Sequence, residues 1–268
     1  MQTGAADLFS MKGRIALITG GAGVQGRTFA EALAQYGASV VLGDLNGDAA
    51  REAAEALDPE GAQIFGLKLD VTDPESIASA ADTIKTRFGA LHVLVNNAGI
   101  VSPGRRAQEV ALSEWERVLS VNLTGPFLTI RAFLPLLRSS GEASIINNGS
   151  MLGLVGLHPG FPMVNAPYAA AKAGLFGLTR QVAAEYAAES VRCNAIAPGW
   201  HGGSGIQRSL GMSAEAFERF ERVVHEGTPM GRRGQMEELR GVMVWLASRA
   251  SSYVTGQVIA LDGGWTAI

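Results

Sequence analysis

The chain has 268 residues, 47% hydrophobic and 18% charged, with a formal charge of −3. This composition carries enough apolar mass for a sizeable core and excludes a disordered or collagen-like chain. The mildly acidic balance gives no electrostatic grip on nucleic acid or an anionic membrane, and the longest unbroken apolar run, 242–247, is far shorter than a bilayer span.

Seven short β-type runs follow one another at 15–18, 39–42, 63–65, 91–95, 144–146, 191–196 and 258–261. Several are apolar at both odd and even positions, the pattern of strands covered on both faces of a parallel sheet. Helical stretches separate them. Over 28–36, Phe29, Leu33 and Tyr36 share one stripe, and Gly37 stops the helix. Thr72-Asp-Pro-Glu75 reads as a helix start, with proline in the first turn and acids at the positive end of the dipole. Ser113-Glu-Trp-Glu116 reads as a capping box opening a helix that runs to Arg138. No internal repeat or linker interrupts the alternation. The expectation is one doubly wound, Rossmann-like α/β domain over 1–268, a seven-stranded parallel sheet flanked by helices. Two long loops, 151–167 and 199–213, are its candidate substrate loops.

The first strand runs into Thr19-Gly-Gly-Ala-Gly-Val-Gln-Gly26 and then a helix. Glycines there, Gly20, Gly23 and Gly26 among them, let the backbone turn tightly and approach a pyrophosphate seated on the N–H groups of the helix start. Asp44 ends the second strand 18 residues beyond Gly26, where a carboxylate bonds both ribose hydroxyls of an adenosine and repels a 2′-phosphate. With no Lys or Arg among its sequence neighbours, Asp44 favours NAD over NADP. Asp70-Val71 follows the third strand at the same sheet edge, suited to an adenine amino group.

Tyr168-Ala-Ala-Ala-Lys172 places a phenol and an ammonium one helical turn apart. A phenol near its ordinary pKa of about 10 is a weak base at neutral pH, and the neighbouring cation is expected to lower it. With Ser150, Asn122, Asn96-Asn-Ala-Gly99, Pro198-Gly199 and Asp262-Gly-Gly264 in order, the sequence resembles the short-chain dehydrogenase/reductase family from Lys12 to Trp265. The resemblance implies Tyr168 as acid–base, Lys172 as its partner and ribose ligand, Ser150 as donor to the substrate oxygen, and Asn122 as anchor of a water beside Lys172. It also implies cofactor contacts at Asn97, Pro198 and Gly199, NAD as cofactor, a small alcohol or ketone as substrate, and a homotetramer. The ending from Thr228-Pro-Met-Gly to Trp265 is most similar in look to sugar-acid and polyol dehydrogenases. A 3-oxoacyl reductase or a dehydrogenase of hydrophobic alcohols is the alternative, and a non-catalytic NAD-binding regulator a remote one.

Departures from the family pattern are Val24 at a glycine position, Asn148 and Gly149 before Ser150, and Gly203 where a threonine holds the carboxamide. Ser150 and Tyr168 are 18 positions apart, about five more than is common in the family, so the added residues must lie around the substrate. His158, Trp200 and His201 in the two loops are therefore candidate substrate contacts, and a small polyol, sugar or cyclic hydroxy compound is expected. The four histidines have no metal-ligand spacing, so no metal is expected. The single cysteine, Cys193, and a start without a basic or apolar leader pattern suit a cytoplasmic protein.

Overall fold

A computed structural model describes residues 4–157, 161, 165–202 and 213–268. Its strands are β1 (Ile15–Thr19), β2 (Ser39–Asp44), β3 (Ile64–Lys68), β4 (Val93–Asn96), β5 (Ala143–Asn148), β6 (Val191–Pro198) and β7 (Val258–Leu261). They form one parallel sheet in the order β3-β2-β1-β4-β5-β6-β7, as expected for a doubly wound domain. Among the described residues, the helices of eight or more residues are α1 (Val24–Gln35), α2 (Gly47–Leu57), α3 (Pro74–Phe88), α4 (Leu112–Leu119), α5 (Gly125–Ser139), α6 (Ala166–Tyr186), α7 (Ala214–Gly227) and α8 (Arg240–Ala247).

Both faces of the sheet are covered, which is why neighbouring strand residues can both be apolar. Ala16 and Ile18 of β1 pack with Phe29 and Leu33 of α1 and Met243 of α8. Leu17 between them packs with Ile77 of α3 and Ile130 and Phe133 of α5. Each such large side chain contributes roughly 1.5–3 kcal/mol on burial. The predicted strands fall short mainly at their C-terminal ends, where Thr19, Asp44, Asn96, Asn147 and Asn148 continue them. Thr19 and Asn96 lie where the order of the sheet reverses, at β1 and β4, the usual crevice for a ligand, with Asp44 on one side and Asn147 and Asn148 on the other.

Several local expectations change. Phe29 and Leu33 are buried, but Tyr36 is the C-cap of α1 and half exposed, because the helix ends before it and Gly37 turns the chain away at φ +101°. Asp73 caps α3, with Pro74 in its first turn. Ser113 is not a cap: α4 begins at Leu112, after Ala111, so Ser113 already sits inside the first turn. The helix predicted to run on to Arg138 is split by a π-helical turn, Ser120–Thr124. The rod Leu112–Ser139 has, by length and composition only, the character of a membrane span. One side of it, Ile130, Phe133 and Leu137, packs against the sheet. The first candidate loop is shorter than predicted, since α6 starts at Ala166 with Asn165 as its cap.

Candidate active site

The glycine turn is shaped by what surrounds it. A Cβ on Gly26 would lie 2.5 Å from the Gly20 carbonyl oxygen, and one on Gly20 would lie 2.8 Å from the Ala98 Cα. One on Gly21 would meet Leu42 at 2.7 Å. Gly23 is less constrained, its Cβ approaching only the Gly20 oxygen at 3.3 Å, and it serves as the N-cap of α1. Val24 opens the helix and is exposed, so the departure there leaves the floor of the turn intact. Thr19 ties the turn to β4: its Oγ1 accepts from Asn97 N and Ala98 N, both at 3.0 Å. A turn packed this closely against a helix start fits a dinucleotide pyrophosphate.

At the end of β2 the Asp44 carboxylate accepts from Ala22 N and Asn46 N, each at 3.1 Å. Its register partner on β3 is Lys68, an exposed cation that the linear sequence does not put beside it. Asp70 Oδ1 is held by Thr72 N at 2.8 Å and Thr72 Oγ1 at 2.7 Å, and Val71 is buried beneath Gly125. These residues lie along the same sheet edge, outside the cavity described next.

That cavity, of about 210 Å³, is lined by Gln25, Asn97, Gly99, Asn148, Ser150, Tyr168, Lys172, Pro198 and Gly199, with Ile100 and Val101 on one side. Ser150 follows β5 and caps a short turn, accepting from Leu152 N at 3.2 Å. Asn165 sets the start of α6 by accepting from Tyr168 N at 3.1 Å, and it also bonds Ser102 in the loop after β4. The Ser150 side chain lies close enough to the Tyr168 phenol to lower its pKa, and Lys172 Nζ lies 5.4 Å from the Tyr168 ring centre. Lys172 is buried, and its Nζ donates to the Asn148 carbonyl at 2.7 Å.

Burial governs both titrations. It pushes Tyr168 up to about 12, with the Ser150 side chain pulling the other way, and it pulls Lys172 down to about 8. The expected lowering of Tyr168 by Lys172 is therefore not what this structure has. Desolvation of the phenol outweighs the benefit of an ammonium that is itself desolvated.

Asn122 sits in the π-helical turn and is fully buried. Its Nδ2 donates to Ile100 O at 2.8 Å and Val118 O at 2.9 Å, while Oδ1 has no partner among the described residues. A Cβ on Gly99 would come within 2.9 Å of that oxygen and 3.8 Å of Lys172 Nζ, so the glycine keeps the space between them open. Asn148 Oδ1 is a second buried acceptor without a partner among the described residues. The two oxygens and the glycine-bounded space suit a ligand rich in hydroxyl and amide donors, as a nicotinamide nucleotide is.

The substrate side is placed differently. Trp200 is buried in an aromatic cluster, stacked on Phe161 at 5.2 Å and edge-on to Phe220 and Trp265. His201 bonds Gly199 O through Nδ1 at 3.3 Å, and burial lowers its pKa. Both line a neighbouring cavity with Asp262 and Gly263, and neither lines the cavity of Ser150 and Tyr168. His158 and Gly203 lie outside the described residues. Gly149 has a physical reason: a Cβ there would lie 2.3 Å from the Phe176 ring. The sequence alone does not single out Gln25 or Lys68. A polar residue in the first turn after the glycine turn was the available signal for Gln25.

Comparison with known proteins agrees with this geometry. Residues 23–266 match the family profile described as enoyl-(acyl carrier protein) reductase. The chain is 37% identical over 255 residues to cis-4-hydroxycyclohexanecarboxylate dehydrogenase of Sinomonas cyclohexanicum, covering 95% of this chain and 97% of the relative. It is 35% identical to cyclohexanol dehydrogenase of an Acinetobacter species, over 94% of this chain and 95% of the relative. Among solved structures, gluconate 5-dehydrogenase from Burkholderia cenocepacia, in complex with NADP and tartrate, superposes with a TM-score of 0.89 at 34% identity, covering 99% and 100% of the two chains. A strand–glycine turn–helix start, a Ser–Tyr–Lys cluster and this breadth of similarity place the chain in the short-chain dehydrogenase/reductase family, as an NAD(P)-dependent oxidoreductase acting on CH–OH groups.

Proposed function

We propose that the protein interconverts a secondary alcohol and a ketone on a cyclic hydroxy compound, polyol or sugar acid, with NAD as the preferred cofactor. The observation that carries this reading is the joint lining of one cavity by Ser150, Tyr168 and Lys172. When bound, the dinucleotide supplies the two-electron acceptor or donor at its nicotinamide ring. Tyr168 takes the hydroxyl proton during alcohol oxidation and returns it during ketone reduction. Ser150 donates to the substrate oxygen as charge develops on it. Lys172 favours the phenolate once the site is closed and holds the nicotinamide ribose. Asn122, with its free acceptor, holds a water beside Lys172. Gly20, Gly23, Gly26, Asn97, Pro198 and Gly199 hold the dinucleotide along the switch point, with Asp44 at the adenosine ribose and Asp70-Val71 at the adenine. His158, Trp200 and His201 remain the proposed substrate side, His201 and Trp200 acting from the adjoining cavity.

The substrate class draws support from relatives named for cyclohexanol, 4-hydroxycyclohexanecarboxylate and gluconate. For the cofactor, Asp44 is fixed by two backbone N–H groups where a 2′-phosphate would meet it. Lys68 in register opposes that repulsion in part, and NADP is present in some solved relatives. A homotetramer is proposed from the family resemblance. The test is kcat/KM with NAD and with NADP on a panel of cyclic alcohols, polyols and sugar acids. NAD is expected to be favoured by about tenfold or more, equivalent to about 1.4 kcal/mol. Asp44→Ala should narrow the gap through KM. Equal values with the two cofactors overturn the NAD assignment, and turnover confined to long-chain acyl substrates overturns the substrate class.

A further inference from the structure

Asn148 ends β5 two residues before Ser150 and is 5% exposed. Its Nδ2 donates both hydrogens, to Gln25 Oε1 at 3.0 Å and to Asn97 Oδ1 at 2.9 Å. The orientation of this amide is forced. Asn97 Nδ2 donates to the carbonyls of Thr19 at 2.9 Å and Gly20 at 3.0 Å, groups that can only accept. Asn97 therefore turns its oxygen to Asn148, and Asn148 must answer with its nitrogen. Asn148 Oδ1 is left over, buried and without a partner among the described residues. Meanwhile the main-chain oxygen of Asn148 anchors Lys172 Nζ at 2.7 Å. One residue thus joins the glycine turn, the first turn of α1 and the buried lysine, and it lines the same cavity.

A buried acceptor without a donor costs about 1–3 kcal/mol, so a site retains one only where a donor arrives. We propose that Asn148 is a positioning residue for the reaction. Its Oδ1 accepts a hydrogen bond from an N–H or O–H of the nicotinamide-ribosyl half of the cofactor, and its amide, held by Gln25 and Asn97, fixes that half relative to Lys172. The proposal rests on the cavity being the nicotinamide end of a dinucleotide site, as argued above. It concerns one half of the dinucleotide, since the adenosine end is held at Asp44, outside this cavity.

The test compares two ligands that share the adenosine end and differ in the nicotinamide. Dissociation constants of NADH and of ADP-ribose are measured calorimetrically for the wild type, Asn148→Leu and Gln25→Leu, alongside thermal unfolding. Asn148→Leu is expected to weaken NADH about tenfold and ADP-ribose less than twofold. Gln25→Leu, which leaves Oδ1 in place but frees one end of the amide, is expected to weaken NADH about threefold with the same selectivity. If Asn148→Leu does not fold, Gln25→Leu decides alone. Equal effects on the two ligands, or none on NADH, overturn the proposal. A wild type that binds neither ligand overturns instead the reading of the cavity on which it rests.

Discussion

At the residue scale, Tyr168 and Lys172 are each desolvated, and their titrations move apart from similar ordinary values: Tyr168 up to about 12, Lys172 down to about 8. Alcohol oxidation needs the phenol without its proton, and kcat/KM reports the free enzyme. It is therefore expected to climb with pH between about 7 and 10, while ketone reduction, which uses the protonated phenol, loses nothing to Tyr168 titration in that range. Tyr168→Phe should lose roughly 10²–10⁴ of the turnover and the slope with it. A wild-type profile flat across that range, or a Phe variant with a tenth of the activity, contradicts the acid–base role. Lys172 gives a separate expectation. A folded pKa below the unfolded value means that the unfolded chain holds the proton more tightly. The buried ammonium thus weakens the fold at low pH, and stability recovers as pH rises from about 8 toward about 10.5. Lys172→Met should abolish activity yet raise Tm, by on the order of 1 kcal/mol of stability at pH 7, with the gain shrinking above pH 8. Thermal melts at pH 7 and pH 10 check this. A Tm that drops equally at both contradicts it.

At the element scale, close helix–sheet packing rests on a few glycines that look replaceable in sequence. Gly66 lies in the middle of β3, where a Cβ would fall 2.4 Å from the backbone of Ala50 and Arg51 in α2. The helix cannot yield without leaving the strand. Gly66→Ala is expected to cost at least about 2 kcal/mol, seen as a Tm roughly 4–8 °C lower. Gly241 in α8 has nothing within 4 Å of its Cβ, so Gly241→Ala should be neutral or gain up to about 1 kcal/mol. Comparable Tm values for the two variants would contradict the packing argument. What the sequence made legible follows the same line. Periodicity, turn residues and the Tyr168–Lys172 spacing are local, and they gave the sheet, the glycine turn and the Ser–Tyr–Lys cluster. Lys68 beside Asp44 comes from strand register, Gln25 with Asn148 from the meeting of α1 and β5, and the burial of Trp200 from Phe161, Phe220 and Trp265. None of these is a sequence neighbour, so no pattern of spacing could show them. The π-helical turn at Asn122 was hidden for another reason: it inserts into a helix whose capping and periodicity continue on both sides.

At the scale of the whole molecule, the rod Leu112–Ser139 is the least explained surface. It is long and apolar, yet much of its outer face is uncovered in one chain. Leu112 is 71% exposed and Phe127 47% exposed, the latter with Arg131 near its ring at 5.8 Å. Crossing a bilayer would require stripping Ile130, Phe133 and Leu137 from the core and carrying Glu114, Glu116, Arg117, Arg131 and Arg138 with the rod. Association of identical chains would cover the outer face without either cost, and large exposed apolar patches are characteristic of such contacts. The wild type is therefore expected to sediment at about four chain masses at micromolar concentration and not to float with lipid vesicles. The double variant Leu112→Glu with Phe127→Glu should sediment as a smaller species with an unchanged far-ultraviolet spectrum, because neither residue belongs to the packed side. If the wild type is a monomer, or if the double variant keeps the full assembly, the rod is not the surface that brings the copies together.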